Sequence, residues 1–203
     1  MGKKAVDIAL LPDEKMADMA IEASKELVLK YGPEIILDKE DCLPHISLAM
    51  GCLDQSDLPA AAGLLKDIAE ENPLPELEVT GIGTSTNSAG QKVSVFEVEN
   101  IEELQSLHTQ VMQTFAPYLG RNVTREMLYD PAAAAESTLL WIENYREKSS
   151  FENFFPHITI GYGELAGMAF PIKFTAKRLA LCHLGNHCTC RKLLAAAPIA
   201  TPR

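Results

Sequence analysis

One eight-residue pattern occurs twice in the chain, and its residues are suited to acid–base chemistry. Residues 44–51 read PHISLAMG, and residues 156–163, 112 positions further on, read PHITIGYG. Proline, histidine, isoleucine and the closing glycine recur in the same places, and the fourth residue carries a hydroxyl in both copies. A single His-x-Ser/Thr is a weak signal, whereas two matched copies of this length are hard to obtain by chance. The repeat therefore predicts a duplicated lobe and a pseudo-twofold relation between the copies.

Each copy has the alternation of a half-buried β-strand. The first copy should present His45, Ser47 and the small Ala49 on one face, and its apolar residues, Met50 among them, on the other. The second copy should be built in the same way, with Tyr162 on its apolar face. The leading proline cannot donate a hydrogen bond to a neighbouring strand and so marks the start of each strand. The small residue beside each hydroxyl should leave room for a ligand.

Placed across a pseudo-twofold axis, the side chains of His45, Ser47, His157 and Thr159 would share one cleft. Phosphodiester cleavage without a metal has a use for such a set. One neutral imidazole takes a proton from the attacking water, and the other, protonated, gives one to the departing sugar oxygen. The hydroxyls donate to the non-bridging oxygens of the phosphate. The plainer alternative is that both histidines only satisfy hydrogen bonds in the core.

The two motif copies resemble the signature of the two-histidine (2H) phosphoesterase superfamily, nearest to its 2′-5′ RNA ligase-like branch. The resemblance implies a two-lobed α+β fold over most of the chain, with antiparallel sheets, outer helices and one His-x-Ser/Thr strand per lobe. It implies that His45 and His157 are the catalytic pair and that Ser47 and Thr159 bind the substrate phosphate. Members of the family open 2′,3′-cyclic nucleotides or RNA termini, or join and split 2′-5′ links, and no cofactor is expected.

A dense group of metal-ligand residue types lies at residues 182–190 (CHLGNHCTC). Thiolates and imidazoles at this spacing would suit zinc. A two-residue turn at positions 185–186, however, would pair His183 with Cys188 and bring at most three ligands to one face. Small buried cysteines are therefore the favoured interpretation, and we predict no metal site.

Three other groups of residues are weaker candidates for a functional role. Residues 187–189 (HCT) form a third His-x-Thr that lacks the proline and the glycine, and we interpret it as a chance match. Arg191 and Lys192 alternate on the last predicted strand, where one of them could bind a substrate phosphate and a solvated strand edge is the alternative. Trp141 and Tyr145 could stack a base, although burial by an amphipathic helix is the more common reason for such residues.

Composition and charge exclude several classes of protein. The 203 residues are 47% hydrophobic and 23% charged, which is ordinary for a globular protein. Eighteen basic and 28 acidic residues give a net charge of −10, which argues against coating nucleic acid with a broad basic face. No acid follows Glu164, so residues 165–203 carry six positive charges and no negative one. A small or locally held anionic substrate, such as a cyclic nucleotide or an RNA terminus, fits this distribution.

The location of the protein follows from what the sequence lacks. No apolar run approaches the ~18 residues of a membrane span, and the N-terminus has no signal-peptide core, so we expect no membrane partner. Five cysteines are an odd number and too few for a disulfide scaffold in a chain of this length, which favours a reducing compartment. We predict a cytoplasmic protein and infer no stable protein partner.

The hydrophobic pattern predicts the order β-α-β-α-β-β-α-(α)-β-β-β, which is an α+β pattern. Helices are expected over residues 13–31, from Ser56 to 71 and over 101–119, with a short helix at 138–148 inside the poorly patterned segment 120–155. We predict a single two-lobed domain over residues 1–203, with residues 195–203 as a flexible tail.

Two other functional classes stay open beside the metal-independent phosphoesterase. One is a nucleotide- or RNA-binding module that keeps the cleft with little turnover, and the other is a zinc-stabilised interaction protein. The sequence leaves open the physiological substrate, ligation against hydrolysis, the acid and base roles of the two histidines, and the oligomeric state.

Overall fold

The computed structural model describes residues 2–86 and 90–200. Within these ranges the chain forms eight β-strands and four α-helices. In chain order they are β1 (Lys3–Pro12), α1 (Glu14–Tyr31), β2 (Ile46–Asp54), α2 (Leu58–Glu71), β3 (Leu77–Thr86), β4 (Lys92–Val98), α3 (Glu102–Phe115), α4 (Glu136–Lys148), β5 (His157–Tyr162), β6 (Ile172–Phe174), β7 (Ala176–Leu184) and β8 (Cys190–Pro198).

The strands form two antiparallel sheets of four strands each. The order in the first sheet is β2-β1-β7-β8, and the order in the second sheet is β5-β4-β3-β6. Each motif strand, β2 in the first sheet and β5 in the second, lies at the edge of its sheet and pairs with one neighbour, β1 or β4. The predicted α+β fold with two pseudo-symmetric lobes and one motif strand per lobe is confirmed.

Local signals fix the ends of the first helix. Asp13 caps α1 by accepting the N–H of Met16 at 2.9 Å, and its other oxygen accepts the N–H of Thr175 at 2.8 Å. The helix ends at Gly32, whose φ of 101° lies in the left-handed region that glycine adopts without steric cost. Asp13 therefore also ties the start of α1 to the segment between β6 and β7.

The two lobes share one apolar core. A single cluster of buried side chains contains Leu10 and Leu48 of the first sheet, Phe96 and Ile158 of the second, and Leu107 of α3. Burial of this kind is the main stabilising contribution to the fold, at about 25 cal/mol for each Å² of apolar surface removed from water. No helix among the described residues has the length and apolarity needed to cross a membrane.

The prediction of a flexible tail is wrong for residues 195–200. Strand β8 continues to Pro198, which lies opposite Arg178 of β7. The N–H of Ile199 donates to the carbonyl of Lys177 at 3.0 Å, and the N–H of Leu74 donates to the carbonyl of Ala200 at 3.0 Å. Backbone hydrogen bonds order this segment of small residues. Because its residues do not alternate between polar and apolar, the sequence carries no strand pattern here. Residues 201–203 lie outside the described ranges.

The predicted two-residue hairpin turn is also wrong. Leu184 pairs with Cys190, so the connection between β7 and β8 is the five-residue loop 185–189. Its Asn186 side chain accepts the N–H of Ala135 at 3.0 Å and the hydroxyl of Thr138 at 2.7 Å. These contacts with the start of α4 hold the loop open, which a type I′ hairpin turn could not do.

Candidate active site

The first motif strand contains a β-bulge. Across the pair of strands β1 and β2, Ala9 lies opposite Ser47, whereas its preceding neighbour, Ile8, lies opposite Ala49. Leu48 is therefore an extra residue without an opposite partner, which is the definition of a bulge.

The second motif strand has the same irregularity at the same place. Val95 of β4 lies opposite Thr159, and Ser94 lies opposite Gly161, so that Ile160 is the extra residue. Since Ile160 occupies the position of Leu48 in the repeat, the pseudo-symmetry of the two lobes extends to their strand irregularities.

The bulges correct the predicted faces of both strands. Residues opposite each other across an antiparallel pair point to the same face, so Met50 and Tyr162 lie on the faces of the motif hydroxyls. Ala49 and Gly161 point to the core instead, and a Cβ on Gly161 would lie 3.2 Å from Cδ1 of Leu27 in α1. The prediction that a small residue follows each hydroxyl on the site face is therefore wrong, because one inserted residue reverses the alternation.

The two histidines are held in the same way. Nδ1 of His45 lies 2.7 Å from the carbonyl oxygen of Leu43, and Nδ1 of His157 lies 2.8 Å from that of Phe155. A carbonyl only accepts, so Nδ1 carries the hydrogen in both rings. This tautomer leaves Nε2 of each neutral imidazole as the nitrogen that can exchange a proton with a ligand.

The two motif strands contact each other, and their histidines interact electrostatically. Burial lowers the pKa of His45, and the charge of His157, a smaller cause, lowers it too. Burial likewise lowers the pKa of His157, against the opposing effects of the Phe155 carbonyl and the Glu97 charge. Both rings are therefore neutral near pH 7, and a charge on one ring disfavours a charge on the other.

The two hydroxyls differ in their surroundings. Ser47 donates to Oδ2 of Asp7 at 2.6 Å, and its backbone carbonyl accepts the hydroxyl of Tyr145 at 3.1 Å. Thr159 is half-buried and lies opposite Val95 on β4. Asp7 is not among the residues predicted for the site, although it is a lone acid in the apolar run of β1.

The loop 185–189 borders the site. Two of its residues, His187 and Cys188, have φ values of 57° and 54°, a left-handed conformation that is uncommon outside glycine and is often found near functional sites. Nδ1 of His187 lies 3.0 Å from the hydroxyl of Tyr162. The backbone carbonyl of Cys188 raises the pKa of His45, so it lies close to that ring. The chance-match interpretation of residues 187–189 overlooked this position.

The structure separates the two predicted phosphate-binding cations. Lys192 lies opposite His183 of β7, which in turn lies opposite Val6 of β1, so Lys192 shares the face of Val6. Val6 and its neighbour Asp7 point to opposite faces, and Lys192 is therefore on the face away from Asp7. Arg191 stacks over the ring of Tyr129 at 5.8 Å and lines a cavity of about 330 Å³ together with His187. Of the two, only Arg191 stays a candidate for substrate binding.

The cysteine-rich segment holds a disulfide. Cys182 and Cys190 are bonded to each other across β7 and β8, which corrects the interpretation of both as small free thiols, while Cys188 is free. The sequence could not show this bond because the wrong turn paired Cys182 with neither cysteine. Among residues 2–86 and 90–200, no group of three or more His, Cys, Asp or Glu side chains is arranged to hold a metal ion.

Trp141 and Tyr145 of α4 have different environments. Tyr145 is buried beneath the first motif strand, as the amphipathic interpretation predicts, but Trp141 is 49% exposed. The exposed ring lies on the side of the helix turned away from the core.

The glycines that close the two motifs are required by close approaches. A Cβ on Gly51 would lie 2.9 Å from the carbonyl oxygen of Gly120. Gly163 has a φ of 106°, and a Cβ there would lie 2.0 Å from the Tyr31 ring. The repeat therefore keeps glycine in both copies for steric reasons.

Comparisons with known proteins agree with this architecture. The sequence model of the 2′-5′ RNA ligase superfamily matches residues 39–187, which include both motifs. Among solved structures, TT0787 of Thermus thermophilus aligns over 98% of this chain and 100% of its own, with 17% identity and a TM-score of 0.56. Escherichia coli LigT in its apo form aligns over 98% and 99%, with 14% identity and a TM-score of 0.52. At these identities the two structures show the likeness of the fold.

None of the curated proteins compared with the chain matches it. The family assignment therefore rests on the superfamily model, which spans most of the chain, and on the two motif strands that it includes. The chain belongs to the 2′-5′ RNA ligase superfamily, the branch of the two-histidine phosphoesterases that its two motifs resemble.

Proposed function

We propose that this protein is a metal-independent phosphoesterase that acts on 2′,3′-cyclic phosphates or 2′-5′ phosphodiester links of RNA or nucleotides. The observation that carries the proposal is the matched pair of motif strands, each with a bulge at the same position and with Nε2 left available on its histidine. The two imidazoles are near enough for the charge of one to lower the pKa of the other.

The reaction needs one proton removed and one supplied. One neutral imidazole, His45 or His157, accepts a proton from the attacking water, and the other, protonated when the phosphate binds, donates to the departing sugar oxygen. Ser47 and Thr159 are the proposed donors to the non-bridging oxygens, Ser47 by turning its single hydroxyl hydrogen from Asp7 to the phosphate. There they orient the phosphorus and stabilise the charge of the transition state. All four groups belong to the protein, so chelation of metal ions should leave the rate unchanged.

The charge distribution supports a short substrate. A net charge of −10 repels a long polyanion, whereas Arg191 supplies one positive charge to the cavity beside the loop, which Glu34 and Asp130 also line. A cyclic nucleotide or the end of an RNA strand fits such a site better than a duplex does.

The purified protein with EDTA should be assayed on 2′,3′-cyclic nucleotides, on an oligonucleotide ending in a cyclic phosphate, and on a 2′-5′-linked dinucleotide. We expect turnover of at least one of them, and loss of that turnover in His45→Ala and His157→Ala. Binding of these compounds without turnover would instead support the nucleotide- or RNA-binding module and would overturn the proposal.

A cytoplasmic location stays part of the proposal and rests on the sequence. The Cys182–Cys190 disulfide opposes it, since such bonds persist mainly in oxidising compartments. Alkylation of free thiols in intact cells distinguishes the two: a cytoplasmic protein should have both cysteines reduced and labelled.

A further inference from the structure

A fully buried acid lies beneath the first motif strand. Asp7, in β1, accepts the hydroxyl of Ser47 on Oδ2, and its Oδ1 has no hydrogen-bond partner among the described residues. Burial raises the pKa of Asp7 well above its ordinary value, against the opposing effects of the Ser47 hydroxyl and the backbone N–H groups at the bulge. A buried carboxylate with an unpartnered oxygen is strongly unfavourable, so this carboxyl group must keep a proton or lie beside a cation.

The group that can become that cation is His45. Nε2 of His45 lies 3.6 Å from Oδ2 of Asp7, and the side chain of His45 is only 11% exposed. Since Nδ1 already donates to the Leu43 carbonyl, Nε2 is the nitrogen that faces the acid. The pair can hold one proton in two ways, as a neutral acid beside a neutral imidazole or as a carboxylate beside an imidazolium.

The other titratable groups around Asp7 do not compete for this role. Tyr145, from α4, and Cys188, from the loop 185–189, both interact with Asp7, and burial raises the pKa of each, so both are neutral. Cys182, opposite Asp7 on β7, is in the disulfide and does not titrate. A charge on His157 would lower the pKa of His45, so the pair keeps its proton while His157 is neutral.

The second lobe has no equivalent acid. Asp7 lies opposite Met50, and the matching pair in the second lobe is Val93 opposite Tyr162. The acid nearest in register to the second histidine is Glu97, which is only half-buried and raises the pKa of His157 less than burial lowers it. The two lobes therefore have the same backbone but different proton chemistry.

We propose that Asp7 is a positioning residue of this site. Its carboxyl group holds the Ser47 hydroxyl until the phosphate binds and shares one proton with His45, so that the first lobe is the proton-donating side; the proposal rests on the phosphoesterase function. As the bond from phosphorus to the water oxygen forms, the water proton passes to Nε2 of His157. As the bond to the sugar oxygen breaks, that oxygen receives the proton from Nε2 of His45. The Asp7–His45 pair has then lost one proton and His157 has gained one, which returns through solvent.

The test is the dependence of the defect on the leaving group. Asp7→Asn keeps the shape and an oxygen that accepts from Ser47, but it cannot hold the shared proton. We expect a loss of about 10–100-fold on a 2′,3′-cyclic nucleotide, below the 10²–10⁴ of a proton-transfer group itself. The leaving group of a nitrophenyl phosphodiester departs without a proton. On this substrate Asp7→Asn and His45→Ala should therefore each lose less than about threefold. His157→Ala should lose activity on both.

The pH profile gives a second readout. Without the carboxyl group, His45 loses its proton at lower pH, so the alkaline limb of kcat/KM should move down by about one to three pH units in Asp7→Asn. Glu97→Gln, the matched removal of an acid near the other histidine, should leave the alkaline limb in place. Should Asp7→Asn fold poorly, Asp7→Val is the replacement that the second lobe already contains at this position.

A titration of the histidine ring protons by NMR separates this proposal from the proposed function. If the protein turns over none of the substrates, the phosphoesterase function fails, while the titration of His45 should still move to lower pH in Asp7→Asn and that of His157 should not. Equal losses on both substrates, together with an unmoved alkaline limb and an unmoved His45 titration, would show that Asp7 only supports the fold.

Discussion

Reduction of the Cys182–Cys190 disulfide should destabilise the protein by an amount that the chain geometry sets. The two cysteines are eight positions apart, so the bond closes a short loop in the unfolded chain. The loop-closure entropy for that length corresponds to about 2.5 kcal/mol at 25 °C. For a chain of 203 residues this free energy lowers Tm by about 5–10 °C. Both cysteines are fully buried, and reduction removes no side-chain atom, so the loss of the cross-link is the main effect.

Scanning calorimetry of the protein with and without a reductant measures this shift. Replacing both Cys182 and Cys190 by alanine should lower Tm by a similar amount and make it insensitive to the reductant. Cys42→Ala is the matched control, because Cys42 is also buried but free, and its Tm should still fall on reduction. Thiol titration of the unfolded, unreduced protein should find three free thiols. Five free thiols, or a Tm that the reductant leaves unchanged, would refute the reasoning.

Three further outcomes are expected. His45→Ala and His157→Ala should each lower the rate on a 2′,3′-cyclic nucleotide by about 10²–10⁴ in steady-state assays that EDTA does not affect. The double variant should lose much less than the product of the two losses, since both residues serve one transition state. Full activity of either single variant on this substrate would contradict the site. Burial lowers the pKa of His108 to about 4. As the pH falls, the unfolded chain therefore binds a proton at His108 before the folded protein does, and the free energy of unfolding should drop by about 3 kcal/mol between pH 6.5 and 4. Urea unfolding checks this, and His108→Gln should flatten the dependence. Gly163→Ala should lower the free energy of unfolding by about 1–3 kcal/mol in the same assay. Adding Tyr31→Ala to this variant should recover the part of the loss that comes from the clash with the ring, but not the part that comes from backbone strain.

The sequence allowed the prediction of the elements whose signals are local. The repeat located both motif strands, and the apolar spacing with Asp13 and Gly32 located α1 almost to the residue. These features depend on residue types within a few positions of one another, which the chain displays directly.

Features that depend on distant contacts could not be predicted. The bulges at Leu48 and Ile160 are set by pairing with β1 and β4, and nothing in the residue types of PHISLAMG marks an extra residue. The loop 185–189 stays open because Asn186 contacts α4, some fifty positions earlier in the chain. Asp7 joins the site only through the register of β1 with β2. Each error was one of register or partner.

The strand order of the first sheet has a consequence for the synthesis of the protein. Strand β1 lies between β2, made soon after it, and β7, which begins only at Ala176. About 120 residues separate the end of β2 from that point, which takes roughly 6–24 s at translation rates of about 5–20 residues per second. The apolar edge of β1 is unpaired during this time, whereas the strands of the second sheet all lie between residues 77 and 174. The nascent chain therefore exposes an aggregation-prone edge until the last hairpin emerges, and the first lobe is completed last.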